Sequence, residues 1–151
     1  MDVDRRRGTR GATVLEVLTA TALTGLLLAI AVPNLRTLVG PWALRSASQQ
    51  IAADLQSTRL RAIACNVRYR VSFDTVARSY VVERETMPNT WVIEGAQQTL
   101  PAAASFGTIT PAAPVFDTRG MLAATVSVPV TVPGTGARTV TTNVLGNTTI
   151  S

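Results

Sequence analysis

The pattern of apolar and polar positions along this chain changes near Asn66. Residues 12–32 are apolar, small or threonine, with Glu16 as their only charge. At roughly 1.5 Å of rise per residue, a helix over this segment is about 30 Å long, enough to cross the hydrocarbon core of a bilayer. After Pro33, apolar and small residues recur every three or four positions, which predicts an amphipathic helix ending near Asn66. These residues are Leu44, Ser48, Ile51, Leu55, Thr58 and Ala62.

Beyond Asn66 the pattern has a period of two, which is typical of strands with one buried face. Tyr69, Val71 and Phe73 alternate with polar residues, and residues 80–84 return as a hairpin partner after a turn at 74–79. Further strands are predicted at residues 90–94, 106–110, 115–117, 125–132 and 137–145. The sequence therefore predicts an α+β protein in which a long N-terminal helix packs on an antiparallel, β-rich C-terminal domain.

Glu16 is the residue of the membrane-length segment that most needs an explanation. A carboxylate inside a bilayer costs on the order of 2.5–3.5 kcal/mol on insertion scales, so it requires a partner or a role. The segment follows four arginines, Arg5, Arg6, Arg7 and Arg10, which favour a cytoplasmic location for that end. A secretory signal peptide cleaved after Ala31 is a poor fit, because the apolar run is longer than such peptides carry and Glu16 lies at its start. A plain signal anchor accounts for the length and the arginines but leaves Glu16 unexplained.

The run from Arg10 to Leu18 resembles the class III leader of type IV prepilins and type II secretion pseudopilins. In that family a basic leader ends in Gly, and the fifth residue after the cut is Glu. The resemblance implies that prepilin peptidase cleaves between Gly11 and Ala12 and that the amine of Ala12 is methylated. It also implies roles in assembly for Glu16 and for Pro33, which falls where many members carry a proline. Ala12 departs from the family, in which Phe or Met is usual.

The end of the long helix resembles one branch of that family, GspH/FimT. Arg59, Ala62, Ile63 and Asn66 match its Arg-x-x-Ala-Ile-x-x-Asn pattern leading into the first strand, and residues 116–120 resemble its Phe-x-x-x-Gly turn. The resemblance implies a pilin fold with four parts. They are a cleaved leader at 1–11, a transmembrane assembly helix at 12–33, an amphipathic second half of that helix at 34–66, and a β-rich globular domain at 67–151.

The function implied by the resemblance is that of a minor pseudopilin, a structural subunit at the tip or initiation complex of a type II secretion pseudopilus. Its expected partners are prepilin peptidase and other major and minor pilins, with Glu16 paired to the Ala12 amine of a neighbouring or the same subunit. Its expected location is the inner membrane, crossed once, with the domain on the periplasmic side. Two alternatives stand beside it: a FimT/FimU-like minor type IV pilin for pilus assembly or DNA uptake, and a membrane-tethered module that binds a ligand such as DNA.

Residues able to carry chemistry are few. The chain has no histidine and one cysteine, which excludes metal sites of the His/Cys type, His-based triads and an intrachain disulfide. Nothing in the sequence places two of the carboxylates Glu83, Glu85 and Glu94 around a cleft. We therefore expect no enzymatic activity, no metal and no cofactor.

The positive charge is a weak argument for nucleic acid binding. Much of the net charge of +5 comes from the leader arginines, which an extracytoplasmic surface would lack. In the C-terminal tail, residues 145–151, Gly146 fits the Gly-Arg-x-Arg-like motif of DNA-binding relatives, but both Arg positions are uncharged. From Gly120 onward Arg138 is the only charge, so we expect weak or no DNA binding.

Three sets of residues keep two interpretations each. The apolar neighbours of Cys65 favour a buried thiol over an intermolecular bridge. Trp42 and Trp91 are interpreted as core or domain-rim anchors, with stacking platforms for a ligand as the alternative. A group of four arginines is either a solvated face or a partner-binding patch: Arg59, Arg61, Arg68 and Arg70.

Overall fold

The computed structural model describes the backbone of residues 13–151 and the side chains of residues 13–29 and 39–151. Its one described helix, α1, spans Val14–Cys65. The strands that follow are β1 (Tyr69–Asp74), β2 (Ser79–Met87), β3 (Thr90–Ile93), β4 (Gln98–Thr99), β5 (Ser105–Phe106), β6 (Val115–Phe116), β7 (Val126–Val132), β8 (Gly136–Thr142) and β9 (Thr148–Ile150).

Two compact units divide the chain, Met1–Thr37 and Leu38–Ser151. The described part of the first unit is the N-terminal portion of α1. Among the described residues, no helix combines the length and the apolarity expected of a membrane span. The second unit holds the remainder of α1 and every strand.

The C-terminal end of α1 is closed by a cap in which Asn66 is the left-handed residue. Asn66 has a φ of 53°, a conformation that only Gly and, less often, Asn adopt without a large penalty. Its N–H donates to the carbonyl of Ile63 at 3.3 Å, and the N–H of Val67 donates to the carbonyl of Ala62 at 3.3 Å. This pair of bonds is the Schellman motif, and Val67 completes it by packing against the core.

Two antiparallel sheets accompany α1. The first has the order β3-β2-β1-β6, with β4 pairing the start of β2, and the second has the order β5-β7-β8-β9. The β1–β2 register places Tyr69 opposite Arg84 and Phe73 opposite Tyr80, so that Tyr69, Val71 and Phe73 share one face as predicted. The α+β class and the antiparallel hairpins predicted from the sequence are confirmed.

The strand predictions need several corrections, and β2 continues to Met87, three residues beyond its predicted end at Arg84. The strand predicted at 106–110 is only β5, and Thr110 makes an isolated bridge to Ser127. The strand predicted at 137–145 ends at Thr142, because Asn143 and Gly146 close a turn through a 2.8 Å backbone hydrogen bond. The strands β4 and β9 were not predicted, because each has too few residues to show a period of two.

The core lies where the predicted stripe of α1 meets both sheets. Leu44, Ala47, Ile51, Leu55 and Ala62 join one buried cluster with residues of the strands. The strand residues most deeply buried in it are Tyr69, Val71, Tyr80, Phe116, Val126, Val128, Val130 and Val140.

Among the described residues, every buried side-chain nitrogen or oxygen atom has a hydrogen-bond partner. The hydroxyl of Ser48 donates to the Leu44 carbonyl and that of Thr58 to the Asp54 carbonyl, both at 2.6 Å. The Tyr80 hydroxyl donates to the Asp54 carboxylate. Burial, reinforced by this hydrogen bond, raises the pKa of the Tyr80 phenol.

Leu55 tests the packing of α1, because its side chain is only 1% exposed. Leu55→Asp would bury an unpaired carboxylate, and we expect it to lower the free energy of unfolding by at least about 4 kcal/mol. The matched control is Gln56→Asp at the neighbouring exposed position, expected to change stability by no more than about 0.5 kcal/mol. Urea unfolding of the full chain in detergent, followed by tryptophan fluorescence, measures both. Equal stability of the two variants would contradict the packing described.

Candidate functional site

The residues singled out at the N-terminus are described only in part. Gly11 and Ala12 lie outside the described residues. The backbone of Pro33 lies within α1, and its side chain is outside the description. Glu16 lies in the first turn of α1 and is exposed.

The start of α1 is capped by Thr13. Its hydroxyl oxygen accepts a hydrogen bond from the N–H of Glu16 at 3.2 Å, and its carbonyl accepts from the N–H of Val17 at 3.1 Å. Thr-x-x-Glu is the spacing of a capping box, and an acid in the first turn is favoured by the helix dipole. The spacing of Thr13 and Glu16 is therefore a helix-start signal that can be read from the sequence.

An apolar surface follows Glu16 along the helix. Each of its large aliphatic side chains is more than half exposed: Val14, Leu15, Val17, Leu18, Leu23, Leu26, Leu27 and Leu28. The described residues of the fold therefore leave them uncovered. Full burial of one such side chain is worth about 1.5–3 kcal/mol, so this surface favours a membrane or other helices as its environment.

The threonines of this segment do not oppose that environment. Thr19 donates its hydroxyl hydrogen to the Glu16 carbonyl at 2.9 Å, Thr21 to the Val17 carbonyl at 3.0 Å, and Thr24 to the Ala20 carbonyl at 2.8 Å. Each hydroxyl is thus satisfied inside its own helix, and the helix presents little unmet polarity. A side chain added at Gly25 would meet no atom within 4 Å, so the fold of the described residues does not itself require glycine there.

Arg59 connects α1 to two turns of the domain. Its Nε donates to the Gly120 carbonyl at 3.2 Å, and its Nη1 donates to the Gly146 carbonyl at 3.5 Å. Both glycines have positive φ, 74° and 80°, and a Cβ on either one would collide with the Arg59 side chain. Arg59 is therefore used inside the fold.

Arg68 and Arg70 lie on the outer face of the first sheet, over the half-buried ring of Trp91. Their guanidinium carbons are 5.7 and 4.5 Å from the ring centroid. Each also pairs with an acid of β2: Arg68 with Glu85 at 3.0 Å, and Arg70 with Glu83. Trp91 is thus a rim residue covered by cations, whereas Trp42 is 71% exposed and is not a core residue.

Glu94 contacts Arg61, the remaining member of the four arginines, near the end of α1. Its carboxylate lies 3.7 Å from Nη1 of Arg61 and 3.4 Å from Nε of Arg84. It also accepts a hydrogen bond from the hydroxyl of Tyr69 at 3.0 Å. Burial, reinforced by the hydrogen bond to Glu94, raises the pKa of the Tyr69 phenol.

Cys65 is exposed, so the prediction of a buried thiol is wrong. That prediction rested on apolar neighbours in the sequence, but successive residues of a helix point about 100° apart. In the last turn of α1, Ala62 is fully buried, while Ile63, Ala64 and Cys65 are exposed. The four arginines, in contrast, all contact acids or carbonyls of the domain, which favours a structural, solvated face over a partner-binding patch.

Comparison with known proteins places this fold. No protein-family model and no curated protein sequence matches the chain. Among solved structures, the minor pseudopilin EpsH of the Vibrio cholerae type 2 secretion system is similar with a TM-score of 0.60 at 14% identity, covering 72% of this chain and 94% of that one. A second EpsH structure gives 0.60 at 16% identity, covering 74% and 94%.

The type IV minor pilin FimU of Pseudomonas aeruginosa is similar to the same degree. Its TM-score is 0.59 at 15% identity, covering 72% of this chain and 87% of that one. These identities establish a common fold, in which a helix packs on antiparallel sheets. The chain therefore has the fold of minor pseudopilins and type IV minor pilins, as its sequence predicted.

Proposed function

We propose that this protein is a minor pseudopilin, a structural subunit of the tip or initiation complex of a type II secretion pseudopilus. The observation that carries the proposal is a pilin fold whose helix begins with a lone acid and an uncovered apolar surface. Such a helix needs either lipid or other helices around it, and a filament subunit meets both in turn. No step of this function requires a reacting side chain.

Processing is the first step of the proposed function. Arg5, Arg6, Arg7 and Arg10 hold the leader on the cytoplasmic side of the inner membrane, and the domain lies on the periplasmic side. Prepilin peptidase cuts between Gly11 and Ala12, and the new amine of Ala12 is methylated. The cut converts a neutral peptide group into a cation at the head of the apolar segment.

Glu16 supplies the partner of that cation. An amine and a carboxylate attract strongly where the dielectric constant is low, and each is costly to bury alone. The Glu16 side chain is exposed in the first turn of α1, where a neighbouring subunit can reach its carboxylate. Pairing with the Ala12 amine of a neighbouring subunit then fixes the axial register between subunits.

Close packing of helices is the third element of the proposal. Ala20, Gly25 and Ala29 are small, and the threonines between them satisfy their hydroxyls internally. Small residues let helix backbones approach, and the large aliphatic side chains of the same segment then pack in the filament core. Other major and minor pilins are the partners that this surface fits.

The alternative of a minor type IV pilin is favoured by one observation, the likeness to FimU at nearly the same TM-score as to EpsH. The chemistry of assembly is common to both. Expression beside a complete type II secretion system and, separately, a complete type IV pilus system distinguishes them, by the filament from which the protein is recovered after shearing. Recovery from pili alone would replace the secretion proposal by the alternative.

Cleavage of the leader is the first expected outcome. Co-expression with a prepilin peptidase should reduce the 16.0 kDa chain by about 1.3 kDa, the mass of residues 1–11. Gly11→Ala should be partly tolerated. Gly11→Arg should block the cut, because it introduces a long, charged side chain where glycine has no side chain. Mass spectrometry identifies the new terminus. A terminus after Ala31 would instead establish a secretory signal peptide.

Removal of the acid tests the pairing mechanism. Glu16→Val should leave membrane insertion intact or improve it, because a costly charge is lost. It should lower incorporation into sheared filaments by about tenfold or more, because the Ala12 amine loses its partner. Leu15→Val, which changes a neighbouring exposed side chain without changing charge, is the matched control. Incorporation of Glu16→Val at the control level would refute the pairing.

DNA binding separates the proposal from the tethered-module alternative. Arg59, Arg61, Arg68 and Arg70 already contact carboxylates or carbonyls, and the tail after Gly120 offers only Arg138. We expect fluorescence anisotropy of a labelled duplex, titrated with the full chain in detergent at physiological salt, to show no binding tighter than ordinary non-specific contact, about 10⁻⁴–10⁻⁶ M. Tighter binding that weakens steeply with added salt would favour a role in DNA uptake.

A further inference from the structure

Four exposed residues near the start of the folded domain form what we call the basal patch: Val39, Pro41, Trp42 and Arg45. The side chain of Trp42 is 71% exposed and that of Val39 is 56% exposed. On the opposite side of the same helical turns, Ala43 and Leu44 are buried in the core. The fold therefore uses one side of these turns and leaves a tryptophan uncovered on the other.

The turn between β7 and β8 extends this surface. A Cβ at Gly40 would lie 2.1 Å from the hydroxyl oxygen of Thr135, so the turn passes directly against the helix at the glycine. Residues 133–136 are exposed and uncharged, and the next residues along β8 are Ala137 and the exposed Arg138. Apolar and hydroxyl groups thus border the basal patch, with a second cation close along the chain.

The charges of this region have one sign. Arg45 is the only charged residue between Leu38 and Gln49, and Arg138 is the only one after Gly120. Beside Trp42, a shallow depression of about 260 Å³ is lined by Trp42, Arg45, Ser46 and Gln49. Guanidinium groups bind phosphate oxygens through two parallel hydrogen bonds, so the depression fits a phosphate group.

We propose that the basal patch binds the headgroup layer of an anionic bilayer, with Trp42 and Val39 inserted at the interface and Arg45 on lipid phosphate. This inference rests on the proposed function, which gives the chain a membrane-spanning segment. Tryptophan is enriched at membrane interfaces because its ring is apolar and its N–H is polar. In the sequence, Val39 comes seven residues after Val32, the end of the membrane-length segment, so chain connectivity keeps the patch within reach of the headgroup layer.

A second copy of the chain fits this patch less well than lipid does. A two-fold contact would set the cation Arg45 against the same cationic surface of its partner, without an acid from residues 38–49 to neutralise it. One exposed tryptophan and a few small neighbours also bury far less than the roughly 1,000 Å² that a stable protein interface requires. Lipid phosphate supplies the missing negative charge without requiring a large matching surface.

The consequence for the proposed function is a membrane-held state of the domain before assembly. While the patch is bound to headgroups, the domain stays at the membrane and its apolar helix stays in lipid. Extraction into a filament must then break two contacts, the lipid around the helix and the headgroups around Trp42. The strength of the second contact would depend on the anionic lipid content of the membrane.

The two tryptophans of the chain make this testable, since only Trp42 lies in the patch. The full chain is placed in vesicles of about three parts phosphatidylcholine to one part phosphatidylglycerol, with the phosphatidylcholine brominated at the headgroup end of its acyl chains. In Trp91→Phe, which retains Trp42, fluorescence should fall by roughly half relative to unbrominated vesicles. In the matched variant Trp42→Phe, which retains Trp91, it should change by less than about a tenth.

Control measurements separate the possible failures. Flotation with the vesicles establishes insertion first: a chain that does not float refutes the membrane part of the proposed function. A chain that floats while Trp42 remains unquenched refutes the basal patch alone. Arg45→Gln in the Trp91→Phe background should remove the extra quenching gained with phosphatidylglycerol, and an unchanged gain would refute phosphate binding. A second copy would instead protect Trp42 from quenching by aqueous iodide, and this protection would increase with the number of protein molecules per vesicle. Such protection without quenching by bromine would assign the patch to a second copy and overturn the inference.

Discussion

The contact between one face of α1 and two separate sheets is the constraint on which the rest of the domain depends. In the described residues the two sheets are not joined by a strand pair, yet their valines and aromatics belong to one buried cluster with Leu44, Ile51 and Leu55. Small residues of the helix, Ala47 and Ala62 among them, are fully buried between its larger apolar side chains and the sheets. The helix therefore forms one side of a single core to which both sheets contribute.

That constraint explains how one helix carries two kinds of surface. From Leu44 to Ala62 its apolar side chains are covered by strands, and its buried hydroxyls bond back to their own backbone. From Val14 to Leu28 the large side chains are uncovered, while the threonines are satisfied in the same way. The difference between the halves is thus in what covers them, and the covering of the first half must come from outside the described fold.

The sequence predicted the features that follow a periodic pattern of residues, and it missed the side-chain contacts that depend on cross-strand register. The spacing of Leu44, Ile51 and Leu55 predicted the buried face of α1, because a helical period is a local property. The stacking of Arg68 and Arg70 on Trp91 depends on a bulge between Glu85 and Met87 that sets the β2–β3 register, and no local period encodes it. Of the candidate site, the roles of Gly11 and Glu16 stay predictions drawn from the family resemblance. The capping role of Thr13 could be predicted from the Thr-x-x-Glu spacing, whereas the exposure of Trp42 required coordinates.

The hydrogen bonds of Arg59 have a mechanical consequence. In the proposed function, a subunit is lifted from a membrane and pushed along a filament, so force acts along its helix axis and the domain must follow without detaching. Arg59 ties the helix to the carbonyls of Gly120 and Gly146, two turns far apart in the sequence. Load applied to the helix is therefore shared between both turns and the packed core at once, so that these contacts are sheared together rather than opened one after another. The same tie connects the turn at Gly146, in the C-terminal tail, to the helix.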